Sequence, residues 1–405
     1  MFKSFYLVFG SNFFSACLGF IISIIVGNIL SIEDYGRFYF LTTAFYILTF
    51  LIDGGLSTSI PVFLSKYGDY NVSTILEQIL KLKRQNLILT FMALISSGLI
   101  LILRGEVDFL IFFFVIVGSI IGSASKVLNS ILQGKNQWKS FSIITITLNL
   151  FRIILLLFVI SFQVFKNLEV ILVIFILSLI CQFLILLQIL KKVRDKEGKN
   201  IAIEISAKRF LNEHYKAFFI ITVLTVFASR MDIVLGNFIS TKEEIGIYSM
   251  ASNLAFIFPI ITSSTLQILI TRKDNILNIL SKSILFKILI LLLVLVFINI
   301  SISPFAIEWI FRGKYNQALN SFILLSTIHI VGVFFTPLES NLIKDSPKQV
   351  LNLKIIQFLI LAATPFLLKS WGINALVMSV FISRFYAWQF LIRINYDQIR
   401  KKFFA

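Results

Sequence analysis

Residues 229–248 read SRMDIVLGNFISTKEEIGIY. An arginine and an aspartate, Arg230 and Asp232, lie between long apolar runs in this stretch. Its second half resembles GNILSIEDYGRF, which occupies residues 27–38 near the start of the chain. The fold must therefore account for two features, which are charges inside an apolar region and a phrase that occurs twice.

Composition indicates that much of the chain faces lipid. The 405 residues are 58% hydrophobic and only 14% charged, with a mean hydropathy of +0.93. A soluble domain has about 25% charged residues, and its folded surface needs polar cover. Cys17 and Cys181 both lie in apolar stretches and provide neither a disulfide framework nor a metal-binding spacing. We therefore predict an all-α polytopic membrane protein.

Hydropathy predicts twelve membrane-spanning helices, since each needs about 20 mostly apolar residues. The N-terminal run has no cleavage site followed by a polar mature chain, so it is predicted to be a retained first span. The predicted spans are 11–30, 39–63, 86–103, 109–132, 141–162, 168–190, 217–239, 245–270, 284–303, 321–343, 352–369 and 373–394.

The distribution of Lys and Arg predicts the orientation. With the N-terminus inside, the inner segments hold 26 basic residues and the outer loops hold 7. Both termini are therefore predicted to be cytoplasmic. The net charge of +17 is mostly a topology signal, and nucleic acid is not an expected partner.

The repeated phrase predicts two similar halves. Gly27-Asn28 and Ser31 match Gly236-Asn237 and Ser240 at an offset of 209. After one inserted residue, Asp34 and Gly36 match Glu244 and Gly246 at an offset of 210. Six spans per half give a parallel repeat. The predicted division is a six-helix bundle at 1–190, a charged cytoplasmic linker at 191–216 and a second six-helix bundle at 217–405.

Four motifs carry a resemblance to a known family, and together with the length and span count they cover essentially the whole chain. They are GNILSIEDYGRFYF at 27–40, LIDGGLSTSIPVFLSKY at 51–67, SRMDIVLGNFISTKEEIGIYSMASNL at 229–254 and IFRGKYNQA at 310–318. The chain resembles polysaccharide-repeat flippases of the Wzx type, in the multidrug/oligosaccharidyl-lipid/polysaccharide exporter superfamily.

The resemblance implies a transporter without cofactors, with two MATE-like bundles around a central cavity that work by alternating access. It also implies a bacterial cytoplasmic (inner) membrane location and a substrate oligosaccharide linked to a polyprenyl pyrophosphate. Such a flippase would serve O-antigen, capsule or exopolysaccharide biosynthesis. Other expected partners are membrane lipids, a coupling H⁺ or Na⁺ and polysaccharide polymerase machinery.

Seven charged residues within the spans are the candidate site residues. An ionisable group at the bilayer centre costs about 2.5–3.5 kcal/mol on insertion scales, so such groups usually face a bundle interior or a wet cavity. The planar guanidinium of arginine can bind two phosphate oxygens at once, so the four basic residues are predicted to contact the substrate. The three acidic residues are predicted to have coupling or charge-balancing roles. They are Lys126, Arg152, Arg230 and Arg384, and Asp53, Asp232 and Glu339. Salt bridges between helices are the structural alternative.

Three other functions are weighed against the flippase. An ion-coupled MATE-type multidrug or toxin exporter would be expected to have an acidic cavity, whereas bases outnumber acids here by four to three. A membrane enzyme acting on outer glycans would need catalytic groups on outer segments, and no outer loop contains a histidine. A purely structural scaffold would not need charges at mid-depth. The chain also lacks a G-x-x-x-x-G-K-[ST] loop, which argues against direct use of ATP.

Overall fold

The computed structural model describes residues 2–67, 109–161, 167–194, 204–256, 258–259, 262, 266 and 282–396. Within these residues the chain forms twelve α-helices and two 3-10 turns, with no β-strand. The helices are α1 (Phe2–Ile29), α2 (Ile32–Asp53), α3 (Leu56–Tyr67), α4 (Phe109–Gly134), α5 (Trp138–Ser161), α6 (Leu168–Arg194), α7 (Glu204–Ile239), α8 (Lys242–Ala255), α9 (Lys282–Phe311), α10 (Leu319–Asp345), α11 (Pro347–Leu367) and α12 (Ile373–Ile394).

Ten of these helices are long and apolar enough to cross a membrane, and α3 and α8 are the two shorter ones. The predicted span at 86–103 lies outside the described residues, and the one at 245–270 is described only in part. Large apolar side chains stand exposed on α9, including Phe305 at 75% and Trp309 at 85% exposure. Such surfaces need lipid around them, so the chain is a multi-pass membrane protein.

The helices group into two compact units. Unit 1 consists of Met1–Leu18 with Leu41–Val226, and unit 2 consists of Gly19–Phe40 with Phe227–Ala405. The division falls inside α1, α2 and α7 rather than in a linker. Part of the predicted linker is helical, because α7 begins at Glu204. The predicted halves at 1–190 and 217–405 remain a prediction.

Hydrogen bonds to main-chain carbonyls join the helices of unit 1. Ser119 Oγ on α4 donates to the carbonyl of Phe45 on α2 at 3.2 Å. Gln182 Nε2 on α6 donates to the carbonyl of Ile144 on α5 at 3.0 Å. Such bonds between helices stabilise packing in lipid, where apolar side chains gain nothing from leaving water.

The second predicted span, 39–63, is broken in the structure. Helix α2 ends at Asp53 and α3 begins at Leu56. Between them Gly54 and Gly55 have φ angles of 66° and 79°, which are open to glycine at little cost. The buried Asp53 carboxylate accepts hydrogen bonds from Ser57 N at 3.1 Å and Ser57 Oγ at 2.7 Å. Asp53 therefore caps the start of α3.

In the structure, each copy of the repeated phrase contains the start of a helix, which is α2 in the first copy and α8 in the second. Ser31 Oγ accepts the N–H of Asp34 at 3.0 Å, and Thr241 Oγ1 accepts the N–H of Glu244 at 3.2 Å. The Glu244 carboxylate in turn accepts the N–H of Thr241 at 2.8 Å, which completes a capping box. The capping residues show that Ser31 corresponds to Thr241. Its sequence alignment with Ser240 is therefore wrong by one residue.

The two copies of the phrase pack against each other inside unit 2. A Cβ atom added to Gly36 would lie 3.0 Å from the backbone nitrogen of Gly246. Lys242 and Glu33, exposed beside the two caps, form an ion pair at 3.6 Å. The glycines occur twice because the two helix starts approach each other at backbone distance, where no side chain fits.

Lys314 holds the end of α1 within unit 2. Its Nζ donates to the carbonyl oxygens of Gly27, at 2.7 Å, and Leu30. Carbonyl groups at the C-terminal end of a helix have no N–H donor within the helix, and a positive charge is favoured beside them. Burial lowers the pKa of the Lys314 ammonium, because the group loses part of its water. The adjacent Tyr315 is fully buried against Tyr35, with ring centroids 5.9 Å apart.

Replacing Lys314 with methionine is expected to destabilise unit 2 by about 1–2 kcal/mol, because two carbonyls lose a charged donor. The change should lower the midpoint of thermal unfolding in detergent by a few degrees. Lys369→Met is the matched control, because Lys369 is exposed and its loss should leave the midpoint within about 1 °C on the usual scale for surface changes. Equal midpoints for Lys314→Met and the wild type would show that this cap has no energetic role.

Candidate functional site

Lys126 and Asp53 lie near each other in unit 1. The Nζ atom of Lys126 lies 3.1 Å from the ring centroid of Phe50 and 4.7 Å from that of Tyr46. Aromatic faces attract cations at these distances. Asp53 attracts the same ammonium electrostatically while its oxygens bind Ser57. Asp53 therefore caps α3 and lies close enough to Lys126 to attract its ammonium group.

Arg152 lies on α5 in unit 1. Its Nε donates to Ser178 Oγ at 3.2 Å and its Nη1 donates to Asn149 Oδ1 at 3.4 Å. The guanidinium carbon lies 4.1 Å from the ring centroid of Phe175. Within the described ranges, no carboxylate forms an ion pair with Arg152. Its positive charge is held by neutral groups alone.

Arg230 and Asp232 belong to unit 2, and each binds a different tyrosine. Arg230 Nη1 donates to Tyr39 Oη at 2.5 Å, and the guanidinium carbon lies 4.1 Å from the ring centroid of Phe256. Tyr248 Oη donates to the Asp232 carboxylate at 2.6 Å. The two charges are about 200° apart around a helix, so each needs a partner on another element. Those partners come from α2 and α8, the helices that begin with the repeated phrase.

Arg230 and Asp232 have no charged counterparts in the first copy of the phrase. At the repeat offset of 209, their equivalents are Ile21 and Ser23. Ser23 Oγ instead accepts a hydrogen bond from Asn253 Nδ2 at 2.7 Å. The repeat therefore reproduces the scaffold while the charges belong to one copy only.

Unit 2 also contains a polar pocket of about 90 Å³. Lys354 Nζ lies 2.8 Å from the Glu339 carboxylate, and these side chains are 9% and 24% exposed. Arg384 is attracted by Glu339 and Asp232 over a longer distance. The lining includes His329, Thr336, Glu339, Lys354, Gln357, Arg384 and Trp388. Among the described lining residues, two cations and one carboxylate give the pocket an excess of positive charge.

Lys354 is the site residue that the sequence analysis missed. Lys354 lies at the inner end of the predicted span 352–369, where a lysine is an ordinary topology signal and not a sign of a site. The structure starts α11 earlier, because Pro347 occupies the first turn of the helix. Lys354 is therefore in the third turn and is buried, at 7% exposure. A proline seven residues before the lysine was the signal in the sequence.

The Glu339–Lys354 pair is expected to show strong coupling in a double-mutant cycle. Glu339→Gln or Lys354→Met alone leaves one buried charge without its partner, which costs about 3–5 kcal/mol. The double variant Glu339→Gln/Lys354→Met removes both charges and should recover most of that loss. Unfolding of the purified protein in detergent measures all three. Additive losses in the double variant would show that the pair is not coupled.

The predicted basic residues are divided between the two units. Lys126 and Arg152 are in unit 1, whereas Arg230 and Arg384 are in unit 2 with Lys354. Each of the three predicted acids lies near a base, as Asp53 does with Lys126, Asp232 with Arg230 and Glu339 with Lys354. In the part of the chain that the structure describes, no group of three or more potential metal ligands occurs.

Several solved structures share this fold. The lipid II flippase MurJ, in an inward closed conformation, is 15% identical, with 95% of this chain and 86% of that chain covered at a TM-score of 0.68. A MATE protein in complex with MaL6 is 13% identical, with 98% and 97% covered at 0.70. An outward-facing multidrug resistance MATE family transporter of the MOP superfamily is 13% identical, with 98% and 96% covered at 0.67. The chain thus has the MATE-type membrane transporter fold predicted from its sequence.

No curated protein matches the sequence significantly. Residues 1–240, more than half of the chain, match the family described as "Polysaccharide biosynthesis protein". The chain belongs to this family. Together with the fold, the match confirms the resemblance to polysaccharide exporters that the sequence motifs indicated.

Proposed function

We propose that this protein is a flippase for an oligosaccharide repeat unit linked to a polyprenyl pyrophosphate. It would move the unit from the inner to the outer leaflet by alternating access, for O-antigen, capsule or exopolysaccharide biosynthesis. The family supports a role in polysaccharide biosynthesis, and the fold supports transport. Neither identifies the substrate, for which the argument rests on charge.

An excess of basic over acidic side chains inside the membrane carries this proposal. We count the charged side chains of the ten described spans that are buried or half-buried and lie beyond the first two turns of their helices. Five of them are basic and three are acidic. The basic side chains thus outnumber the acidic ones by two, in a medium where an uncompensated charge is unfavourable. The five bases are Lys126, Arg152, Arg230, Lys354 and Arg384. An anionic substrate group would compensate them.

The head group of the proposed substrate has the matching chemistry. A pyrophosphate offers several anionic oxygens, and arginine binds such oxygens in a bidentate way. In this proposal Arg152, Arg230, Arg384 and Lys126 stabilise the head group as it crosses, while the polyprenyl tail stays in lipid. A multidrug exporter for cations is the weaker candidate, because the same residues would repel its substrates.

Asp53, Asp232 and Glu339 are assigned a charge-balancing role in this proposal. Each already accepts a hydrogen bond or ion pair, from Ser57, Tyr248 and Lys354 respectively. Ser57 binds both oxygens of Asp53, whereas Tyr248 and Lys354 each bind one oxygen of Asp232 and Glu339. The proposal retains H⁺ or Na⁺ as the coupling ion without assigning it a site.

The proposal includes a bacterial cytoplasmic membrane location, with both termini in the cytoplasm. The excess of basic residues in the inner segments, 26 against 7, supports this orientation. In this proposal the two halves are residues 1–190 and 217–405, and the linker at 191–216 connects them. Polysaccharide polymerase machinery would take the product on the outer side.

Deletion of the gene in its host tests the proposed function. We expect loss of the surface polysaccharide and accumulation of its lipid-linked precursor on the inner leaflet, with both defects corrected by the wild-type gene. Normal polysaccharide in the deletion strain, together with new sensitivity to cationic drugs, would contradict the flippase and favour the multidrug exporter.

A further inference from the structure

We propose that the polar pocket of unit 2 binds one acidic sugar of the repeat unit, with Arg384 receiving its carboxylate. This inference rests on the proposed function and makes it more specific. It assigns Arg384 to a sugar of the substrate and leaves the pyrophosphate head group to Arg152, Arg230 and Lys126. It names a class of substrate, oligosaccharides that carry a uronic acid, and a subsite for that residue. Three features of the pocket lead to it.

The first feature is an arginine with an available fork. Arg384 lines the pocket at the middle of α12, as the twelfth of its 22 residues. Within the described ranges it makes no hydrogen bond and no ion pair, and it interacts with Glu339 and Asp232 only through longer-range attraction. Lys354, the other cation of the pocket, is already bound to Glu339 at 2.8 Å. The planar guanidinium is therefore free to bind a carboxylate with two parallel hydrogen bonds.

The second feature is an acceptor without a donor. Gln357 is 3% exposed and lines the same pocket. Its Nε2 donates to the carbonyl of Ser383 at 3.5 Å, whereas its Oε1 is buried and has no hydrogen-bond partner among the described residues. A buried acceptor left without a donor is unfavourable, because it has lost its hydrogen bond to water. A sugar hydroxyl or a bound water would satisfy it.

The third feature is an aromatic wall. The rings of Phe335 on α10 and Trp388 on α12 are stacked, with centroids 5.3 Å apart and planes 10° from parallel. Both residues line the pocket. The negative face of an aromatic ring attracts the positive edge of C–H groups, which cover one side of a pyranose. A wall of this kind suits a sugar ring better than a phosphate, which has no apolar face.

The size of the pocket fits a subsite rather than a whole oligosaccharide. Its volume of about 90 Å³ is several times the roughly 10–15 Å³ that a single water molecule needs. This is room for a carboxylate and the part of the ring beside it. The rest of the repeat unit would extend outside the pocket.

Transport of two matched substrates tests the inference. The probes are polyprenyl-pyrophosphate disaccharides that differ only in the terminal sugar, which is glucuronic acid in one and glucose in the other. Proteoliposomes with the full-length wild type should move the acidic substrate at least about tenfold faster, as expected for one charge-assisted bidentate contact. Equal rates would overturn the inference while the proposed function stands. Transport of neither substrate would overturn the proposed function, and this inference with it.

Variants assign the preference to the pocket. In Arg384→Gln the two substrates should be transported at rates that differ by no more than about twofold, because the charge-assisted contact that produces the preference is lost. Arg393→Gln is the control, because Arg393 lies exposed in the last turn of the same helix and should leave the ratio unchanged. An unchanged ratio in Arg384→Gln would overturn the role of Arg384.

Binding of free ligands separates a sugar carboxylate from the phosphates of the carrier. Glucuronate should quench the tryptophan fluorescence of the purified protein in detergent, and glucose should not. The quench should vanish in Trp388→Phe and persist in Trp309→Phe, because Trp309 stands 85% exposed on α9. Quenching by inorganic pyrophosphate at lower concentrations than glucuronate would assign the pocket to the carrier head group and overturn the acidic-sugar site.

Discussion

Gly246→Ala is expected to prevent unit 2 from folding. A Cβ atom at this position would overlap the carbonyl oxygen of Ile32 and lie 2.8 Å from the Cγ2 atom of the same residue. Alanine favours a helix over glycine by up to about 1 kcal/mol. An overlap with backbone outweighs this gain, because the first turns of α2 and α8 would have to separate and their caps would shift.

The measurement is the amount of monodisperse protein extracted from membranes in mild detergent. We expect Gly246→Ala to fall to about a tenth of the wild-type amount, as overpacking of a tight contact can cost about 1–3 kcal/mol or more. Gly10→Ala is the matched control, because an added Cβ atom there has no neighbour within 4 Å. It should extract at the wild-type level. Wild-type yield and stability for Gly246→Ala would contradict the close packing of the two copies.

Arg230→Gln is expected to reduce translocation of a polyprenyl-pyrophosphate oligosaccharide by about 10- to 100-fold, which corresponds to the loss of one charged hydrogen bond of about 1.5–3 kcal/mol. Arg230 is 9% exposed and already oriented by Tyr39 and Phe256. Glutamine keeps a donor for Tyr39 and removes the charge. The variant therefore tests the charge more selectively than alanine would.

Two comparisons make this result interpretable. Arg393→Gln removes an exposed arginine from the last turn of α12 and should retain the wild-type rate. Thermal unfolding of Arg230→Gln should stay within a few degrees of the wild type, which separates lost transport from lost folding. A folded Arg230→Gln that moves the substrate at the wild-type rate would remove Arg230 from the site.

The membrane architecture could be predicted from the sequence because hydropathy and helix length are local properties. Apolar runs identified the ten spans that the structure describes. The repeat was found as well, although its alignment missed by one residue. Residue identity aligned Ser31 with Ser240, whereas the hydrogen bond that caps the helix shows that Thr241 is the equivalent residue.

The partners of the charges could not be predicted in the same way. Tyr39 and Arg230 are 191 residues apart in the chain, and no periodicity relates them. Lys354 lies at the inner end of its predicted span, where a positive charge is ordinary and does not indicate a site. In both cases the decisive fact is tertiary, namely which helix brings a hydroxyl or a carboxylate to the charge.

The most direct test of the central claim is translocation by the purified wild-type protein in liposomes. The substrates are a labelled polyprenyl-pyrophosphate oligosaccharide and, separately, a cationic dye. The charge excess predicts that the oligosaccharide crosses to the opposite leaflet and that the dye is not transported. Transport of the dye without movement of the oligosaccharide would contradict an anion-accepting flippase and support the multidrug exporter.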